Sequence, residues 1–393
     1  MKFDFMSKSL SSLADIQTGP FGSQLHKEDY VDIGTPIVTV EHLGRKRFSE
    51  QNLPCVSAQD KERLSKYILQ EGDIVFSRVG SVDRCSYVSK EYAGWMFSGR
   101  CLRVRPNADI DSQFLYYYFT LETTKQFVRG IATGATMPSI NTKFMGEVPV
   151  VYPSIEIQRK IAGILSAIDN KIDVNNAINE NLQQQVFALF DQLMLESGDS
   201  KCLVSDVAYL NPKRQLSKNQ VARCIDMSQL STSGAFPSGW DMKPFNGGMR
   251  FINGDTLLAR ITPCLENGKT AYIDFLDKKE VAFGSTEYIV LAPREGVPPE
   301  YLYCLARYPA FVDYAVKNMN GSSGRQRVSA DTIGKFVMNH PSEDALRNFG
   351  DIATALFMKM RYNSFENLRL VSLRDAILPR LMSGELDVSG LDL

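Results

Sequence analysis

The chain has very little of what most enzymes use for chemistry. Histidine occurs three times in 393 residues, as His26, His42 and His340, and none stands in a His-Glu-x-x-His or comparable ligand spacing. The seven cysteines are odd in number, no two lie closer than sixteen positions, and no Cys-x-x-Cys pair exists. That pattern disfavours both a disulfide framework and a zinc site. There is no Gly-x-Gly-x-x-Gly and no Gly-x-Ser-x-Gly. Gly268-Lys269-Thr270 ends like a phosphate loop, but Pro263 stands where the motif requires its first glycine. Val297-Pro298-Pro299-Glu300 lacks the polar residue and the aromatic that flank the paired prolines of an amino-methyltransferase, and the short acidic-lysine spacing of a nuclease is missing. No catalytic residue, metal ligand or cofactor pocket is therefore assigned.

Long apolar runs are missing too. No window approaches eighteen consecutive apolar residues and residues 1–10 carry no leader-like stretch, so neither export nor a membrane span is expected, and a cytoplasmic protein is. A surplus of positive charge is equally absent: 44 Lys and Arg face 45 Asp and Glu, for a formal charge of -1. This excludes a uniformly basic nucleic-acid glove. Local basic loops remain compatible with it, if the acids sit on faces that dock protein partners.

What is present is a repeat. Glu71-Gly72-Asp73-Ile74-Val75-Phe76-Ser77-Arg78 is answered by Asn253-Gly254-Asp255-Thr256-Leu257-Leu258-Ala259-Arg260, and Phe114-Leu115-Tyr116-Tyr117 by Tyr301-Leu302-Tyr303-Cys304. Gly146 and Pro153 are answered by Gly334 and Pro341, and a long helical pattern follows each proline.

The first helical seam runs Ile161, Leu165, Ile168, Ile172, Asn175, Asn179, Leu182, Val186, Leu189, Leu193, in alternating steps of four and three. The residues 188 positions later are Phe349, Ala353, Leu356, Met360, Asn363, Asn367, Leu370, Arg374, Ile377 and Leu381. Asparagine in a seam weakens packing but fixes register, because a buried amide needs a partner. An antiparallel pairing about a local pseudo-twofold would set Asn175 against Asn367 and Asn179 against Asn363, with Leu182 near Met360 and Val186 near Leu356; Arg374 fits that seam poorly. Ser154 with Glu156, and Ser342 with Glu343 and Asp344, read as capped, acidic first turns. The first helix is expected to stop near Gly198, and the second to be broken by Pro379. About forty residues of helix span roughly 60 Å.

Residues 1–152 and 199–340 read as short strands between Gly and Pro turns, with one helix near 112–128 and another near 299–317. The expected fold class is α+β: two globular recognition domains, each a curled and mainly antiparallel sheet with peripheral helices, separated by two long antiparallel helices in a tandem repeat. The boundaries are 1–153 and 199–341 for the domains, 154–198 for the first helix, and 342–393 for the second helix with its tail. The segment 19–48 has no convincing sequence partner in 202–248. Base edges and phosphates are read best by Arg, Lys, Asn, Gln and hydroxyls on glycine-rich loops. Candidates in the first half are Arg45, Lys46 and Arg47 after a glycine; Arg78 and Arg84 after the shared strand; and Thr136, Ser139, Asn141 and Lys143 around the Gly134 loop. Those in the second half are Arg250, Arg260, Lys269, and Ser323, Arg325, Gln326 and Arg327 in a glycine-serine loop.

These features resemble one known family, the specificity subunits of Type I restriction-modification systems. Gly19-Pro20-Phe21-Gly22-Ser23-Gln24-Leu25 looks like the family's amino-terminal signature, and Gly72-Asp73-Ile74-Val75-Phe76 with Arg78 and Gly80 like its internal strand motif. Gln158-Arg159-Lys160-Ile161-Ala162 through Asn175 is similar to its first conserved region, and Leu378-Pro379-Arg380-Leu381-Met382-Ser383-Gly384-Glu385-Leu386 to its second. The second half has no Gly-Pro-Phe-Gly-Ser counterpart. The resemblance implies that each globular half reads one half of a bipartite, asymmetric site on double-stranded DNA, with the paired helices setting the unread spacer. It also implies docking of two methyltransferase (M) subunits, which bring S-adenosylmethionine, and of endonuclease/translocase (R) subunits, which need ATP and magnesium. Partner docking would then account for the acids Glu156, Asp169, Asp173, Glu180 and Asp191. Two rival readings are a stand-alone DNA-modifying enzyme and an assembly protein that does not read DNA.

Overall fold

The computed structural model describes residues 4–391, apart from 45, 199 and 323. Its longest elements are the helices Ile155–Glu196 and Glu343–Met382. By compactness the chain forms two units, one of Met1–Asp169 with Ser372–Leu393, the other of Asn170–Val371. Both cuts fall inside the long helices, so each unit holds one strand-rich half and a portion of both helices.

In the first unit, Met6–Ser9 pairs antiparallel with Pro149–Tyr152. A four-stranded antiparallel sheet runs in the order Ala14–Thr18, Cys101–Pro106, Ile74–Ser77, Cys85–Tyr87. Ile74–Ser77 is buried along its whole length, which is why it reads as a continuous apolar run rather than an alternating one. The second sheet, ordered Tyr30–Val31, Cys55–Val56, Thr35–Val38, Met96–Phe97, contains one parallel pairing, Thr35–Val38 with Met96–Phe97. Phe76, Phe114 and Phe119 pack with Ile157, Ile161 and Leu165 of the first long helix, and Leu378, Leu381 and Met382 of the second close the same core.

The second unit repeats this plan. Lys201–Leu203 pairs with Val337–Asn339, and an antiparallel sheet runs Ala208–Leu210, Tyr288–Pro293, Thr256–Ala259, Thr270–Tyr272. The remaining sheet, Asp241–Pro244, Val221–Ile225, Ala282–Gly284, Met249–Phe251, again holds one parallel pair, Val221–Ile225 with Ala282–Gly284. Segments 19–48 and 202–248 thus each supply one strand of a parallel pair, Thr35–Val38 and Val221–Ile225, despite their unlike sequences.

The shared Gly-Asp turn has a structural role in both copies. Asp73 accepts from Gln70 N at 2.8 Å and from Arg105 Nε at 2.7 Å; Asp255 accepts from Ile252 N at 2.9 Å and from Arg214 Nη2 at 2.9 Å. Gly72 and Gly254 precede them with φ of 92° and 89°, a left-handed backbone that favours glycine.

Three expectations need correction. The helix expected over 112–128 is two, Ser112–Thr120 and Glu122–Gly130, with Leu121 extended between them. That over 299–317 is likewise two, Pro299–Arg307 and Pro309–Lys317, because Pro309 forces Tyr308 out of the helical region. Pro379, conversely, does not end the second long helix, which continues to Met382. It stands in the last turn, where one backbone donor is lost, while Leu378, Leu381 and Met382 are buried there.

Within the second unit the long helices run antiparallel. Asn175 Nδ2 donates to Asn367 Oδ1 and Asn363 Nδ2 donates to Asn179 Oδ1, both at 2.9 Å. Asn175 and Asn363, the related pair 188 positions apart, are each 1% exposed. In the first unit Arg374 leaves the apolar seam to ion-pair with Asp169 at 2.9 Å, and Tyr117 donates to the same carboxylate at 2.6 Å. Asp169 is buried and internally paired, so it is not one of the acids open to a protein partner.

Candidate nucleic-acid interface

In the first unit the end of strand Ile74–Ser77 gathers two other segments. Arg78 N donates to Arg100 O at 2.8 Å, Ile140 N to Arg78 O at 3.0 Å, and Gly80 N to Pro138 O at 2.8 Å. Thr133 and Ser139 exchange backbone hydrogen bonds of 2.8 Å, closing the Gly134–Thr136 loop. Onto this platform folds the Gly-Pro-Phe-Gly segment. A Cβ on Gly19 would lie 2.2 Å from Ser98 O, and one on Gly99 would lie 2.5 Å from Pro20 O, so both positions require glycine. Phe21 ends 60% exposed, with the Arg78 guanidinium 5.6 Å above its ring while Nη1 donates to Gly99 O at 3.0 Å.

The structure brings Arg78, Thr136 and Ser139 together. Thr136 and Lys143 are exposed, whereas the Asn141 side chain caps helix Thr142–Gly146 by accepting from Phe144 N at 2.8 Å. Arg84 is exposed and donates to Leu43 O, which ties it to the 44–47 loop. In that loop Arg47 pairs with Glu91 at 3.4 Å, and Lys46 turns towards helix Ser112–Thr120, with Nζ 3.2 Å from the Tyr117 hydroxyl. Arg45 lies outside the described residues.

The second unit has the same backbone knot. Arg260 N donates to Glu287 O and Val328 N to Arg260 O, both at 3.0 Å, and Asn320 and Arg327 exchange bonds of 2.9 Å. Its side chains differ. Glu287 stands where Arg100 stands in the first unit, and Arg327 where Ser139 does. Glu287 receives Arg260 Nε at 3.1 Å and is gripped by Arg327 through Nε at 2.9 Å and Nη2 at 2.8 Å. The Arg327 hydrogen bonds and then the Arg260 ones hold the Glu287 carboxyl below its ordinary pKa. Arg325 is exposed at the loop tip, and Gln326 accepts from Thr262 N at 3.1 Å through its backbone oxygen. Arg250 lies apart on strand Met249–Phe251, over the Phe245 ring, and Lys269 donates to Met227 O at 2.7 Å. Ser323 lies outside the described residues.

Sequence reasoning missed Phe21, Arg100 and Glu287 as members of these clusters. Aligning Gly99-Arg100-Cys101-Leu102 with Thr286-Glu287-Tyr288-Ile289 as a repeat would have exposed the last two. Among the described residues no group of three or more His, Cys, Asp or Glu side chains could hold a metal. Burial pushes the Cys85 and Cys101 thiols up to about 12, so neither is a ready nucleophile. No helix among the described residues is long and apolar enough to cross a membrane.

Residues 3–184 match the family model described as Type I restriction modification DNA specificity domain. The chain is 22% identical, over 84% of its length and 90% of the relative's, to the Type I restriction enzyme HindI specificity subunit of Haemophilus influenzae. It is 23% identical, over 73% and 72%, to the MjaIX specificity subunit of Methanocaldococcus jannaschii. In fold it is similar to the crystal structure of a Type I restriction-modification S subunit from M. genitalium, with a TM-score of 0.61 at 16% identity, covering 97% of this chain and 96% of that one.

Proposed function

We propose that the chain belongs to the Type I restriction-modification specificity subunits and is the sequence-reading subunit of such a complex, each unit recognising one half of a bipartite DNA site. The observation that carries this reading is the loop knot found twice on one backbone plan with different side chains. The first copy presents Arg78, Arg100 and Ser139, and the second Arg260, Glu287 and Arg327. One scaffold with two sets of groups suits two different half-sites. The paired long helices would set the unread spacer between the two half-sites.

The chain would act without catalysing anything itself. Methyl transfer from S-adenosylmethionine would belong to two docked methyltransferase subunits, and ATP- and magnesium-dependent translocation and cleavage to endonuclease subunits, all in the cytoplasm. The test is to express the chain with its methyltransferase partner and sequence the methylome. A single bipartite, asymmetric motif with a fixed unread spacer is expected. Methyl transfer by the purified chain alone would make it a stand-alone enzyme. No preference over random duplex at physiological salt would make it an assembly protein.

A further inference from the structure

In the second unit Glu287 is shared by two arginines in unequal ways. Arg327 spends its Nε and Nη2 on the carboxylate and its Nη1 on Arg325 O at 3.2 Å. Arg260 spends only Nε, at 3.1 Å. Its Nη1 and Nη2 have no partner among the described residues, and its side chain is 33% exposed. An arginine held by Nε and free at both terminal nitrogens presents the two-pronged edge that matches the O6 and N7 acceptors of guanine in the major groove. The backbone fixes the base of this arrangement, since Arg260 N bonds Glu287 O and Arg260 O receives Val328 N, both at 3.0 Å. The Glu287 carboxylate fixes the tip.

The first unit shows what the same knot does without the acid. Arg100 replaces Glu287, and Arg78 gives an Nη1 hydrogen to Gly99 O, so its terminal edge is partly used. The two copies therefore differ in which guanidinium edge is offered, as well as in net charge.

We propose that Arg260 reads a guanine edge in the second half-site and that Glu287 is its positioning residue, holding the guanidinium by Nε so that its terminal fork faces the base. This rests on the DNA-reading function proposed above. Pinning the fork in advance lowers the conformational cost of forming the bidentate contact, which is greatest for a long side chain ordered only on binding.

The experiment uses the chain assembled with its methyltransferase partner and measures binding to the cognate duplex and to duplexes altered singly at every position of both half-sites. Arg260→Lys keeps the charge and loses the fork. It should abolish discrimination at one G·C pair of the second half-site, a loss on the order of tenfold or more, and leave the first half-site read as in the wild type. Glu287→Ala should weaken discrimination at that same pair, and Glu287→Gln, which keeps one acceptor for Nε, should restore part of it. Discrimination retained at the other base pairs of the second half-site reports that each variant is folded. Equal weakening on every duplex by Arg260→Lys, or tighter cognate binding by Glu287→Ala, would overturn the proposal, the first by making Arg260 a phosphate contact and the second by making Glu287 a brake. If the wild type shows a bipartite preference and neither variant alters it, only this proposal fails. If the wild type shows no preference, the DNA-reading function fails with it.

Discussion

At the scale of the residue, the charges most visible in the sequence divide into those that hold the fold and those left for a ligand. Asp169 reads as one more acid on a helix, yet it is buried and receives both Arg374 and the Tyr117 hydroxyl. Burial works against the Arg374 charge, and the hydrogen bonds that it donates to Asp169 and Asp375 outweigh it and hold the group protonated. Asp169→Ala should therefore destabilise the chain by about 1–3 kcal/mol in urea unfolding, the cost of leaving partly buried donors unmade; a variant as stable as the wild type would contradict this. Asp255 offers a pH test. Burial pushes its carboxyl up to about 6, against the opposing Ile252 amide and Arg214, whereas an unfolded Asp titrates near 3.9. Between those values the folded state binds the extra proton, so this group's contribution to stability falls as pH rises from about 4 to 6. Asp255→Asn should flatten that part of the stability curve, by up to about 2–3 kcal/mol across the window, measured as the difference between wild-type and variant unfolding curves. The Gly-Asp motif was legible as a turn because its signal is local. Glu287 was not legible as a member of a site, because its role exists only once strand ends far apart in sequence meet.

At the scale of the element, the long helices were the most readable part of the chain, since a seam is written in consecutive turns and its second copy lies at constant offset. The asparagine register followed from the same pattern. The interruption at Leu121 did not, as apolar periodicity runs straight across it, whereas the one at Tyr308 is written locally in Pro309. The strands of 19–48 and 202–248 were harder still. Their common placement depends on parallel pairing with Met96–Phe97 and Ala282–Gly284, a non-local partnership that no window contains. Replacing Asn175, Asn179, Asn363 and Asn367 together with leucine, so that no amide loses its partner, should raise the urea midpoint, because buried amides cost packing energy, while loosening register. Cysteine pairs placed across the two helices within the second unit would read this as cross-linking at shifted positions, and cross-linking confined to the native positions would show that the apolar residues alone set the register. Inserting one heptad into both helices should lengthen the unread spacer by about three base pairs, from roughly 1.5 Å per helical residue and 3.4 Å per base pair, with both half-sites unchanged. An altered half-site in the methylome would argue against helices as spacers.

At the scale of the whole molecule, a formal charge of -1 seemed to oppose DNA binding, and the structure shows why the sum misleads. Arg103, Arg105, Arg214 and Arg374 are neutralised within the fold by Asp15, Asp73, Asp255 and Asp169. Balanced pairs of that kind add nothing to the field around the surface loops, where Arg84, Arg100 and Lys143 are exposed in the first unit and Arg325 in the second. Partition rather than total governs the attraction of phosphates. If Arg84 and Lys143 each neutralise a phosphate, replacing both by alanine should lower the slope of log affinity against log salt by about 0.9 per contact, close to two in all. The reading of the second half-site should survive, because the groups that perform it belong to the other unit. Titrating the assembled complex against cognate duplex over a range of salt concentrations measures the slope, and singly altered duplexes measure the reading. An unchanged slope would take both residues off the DNA, and loss of discrimination at the second half-site would mean that the two units do not read independently.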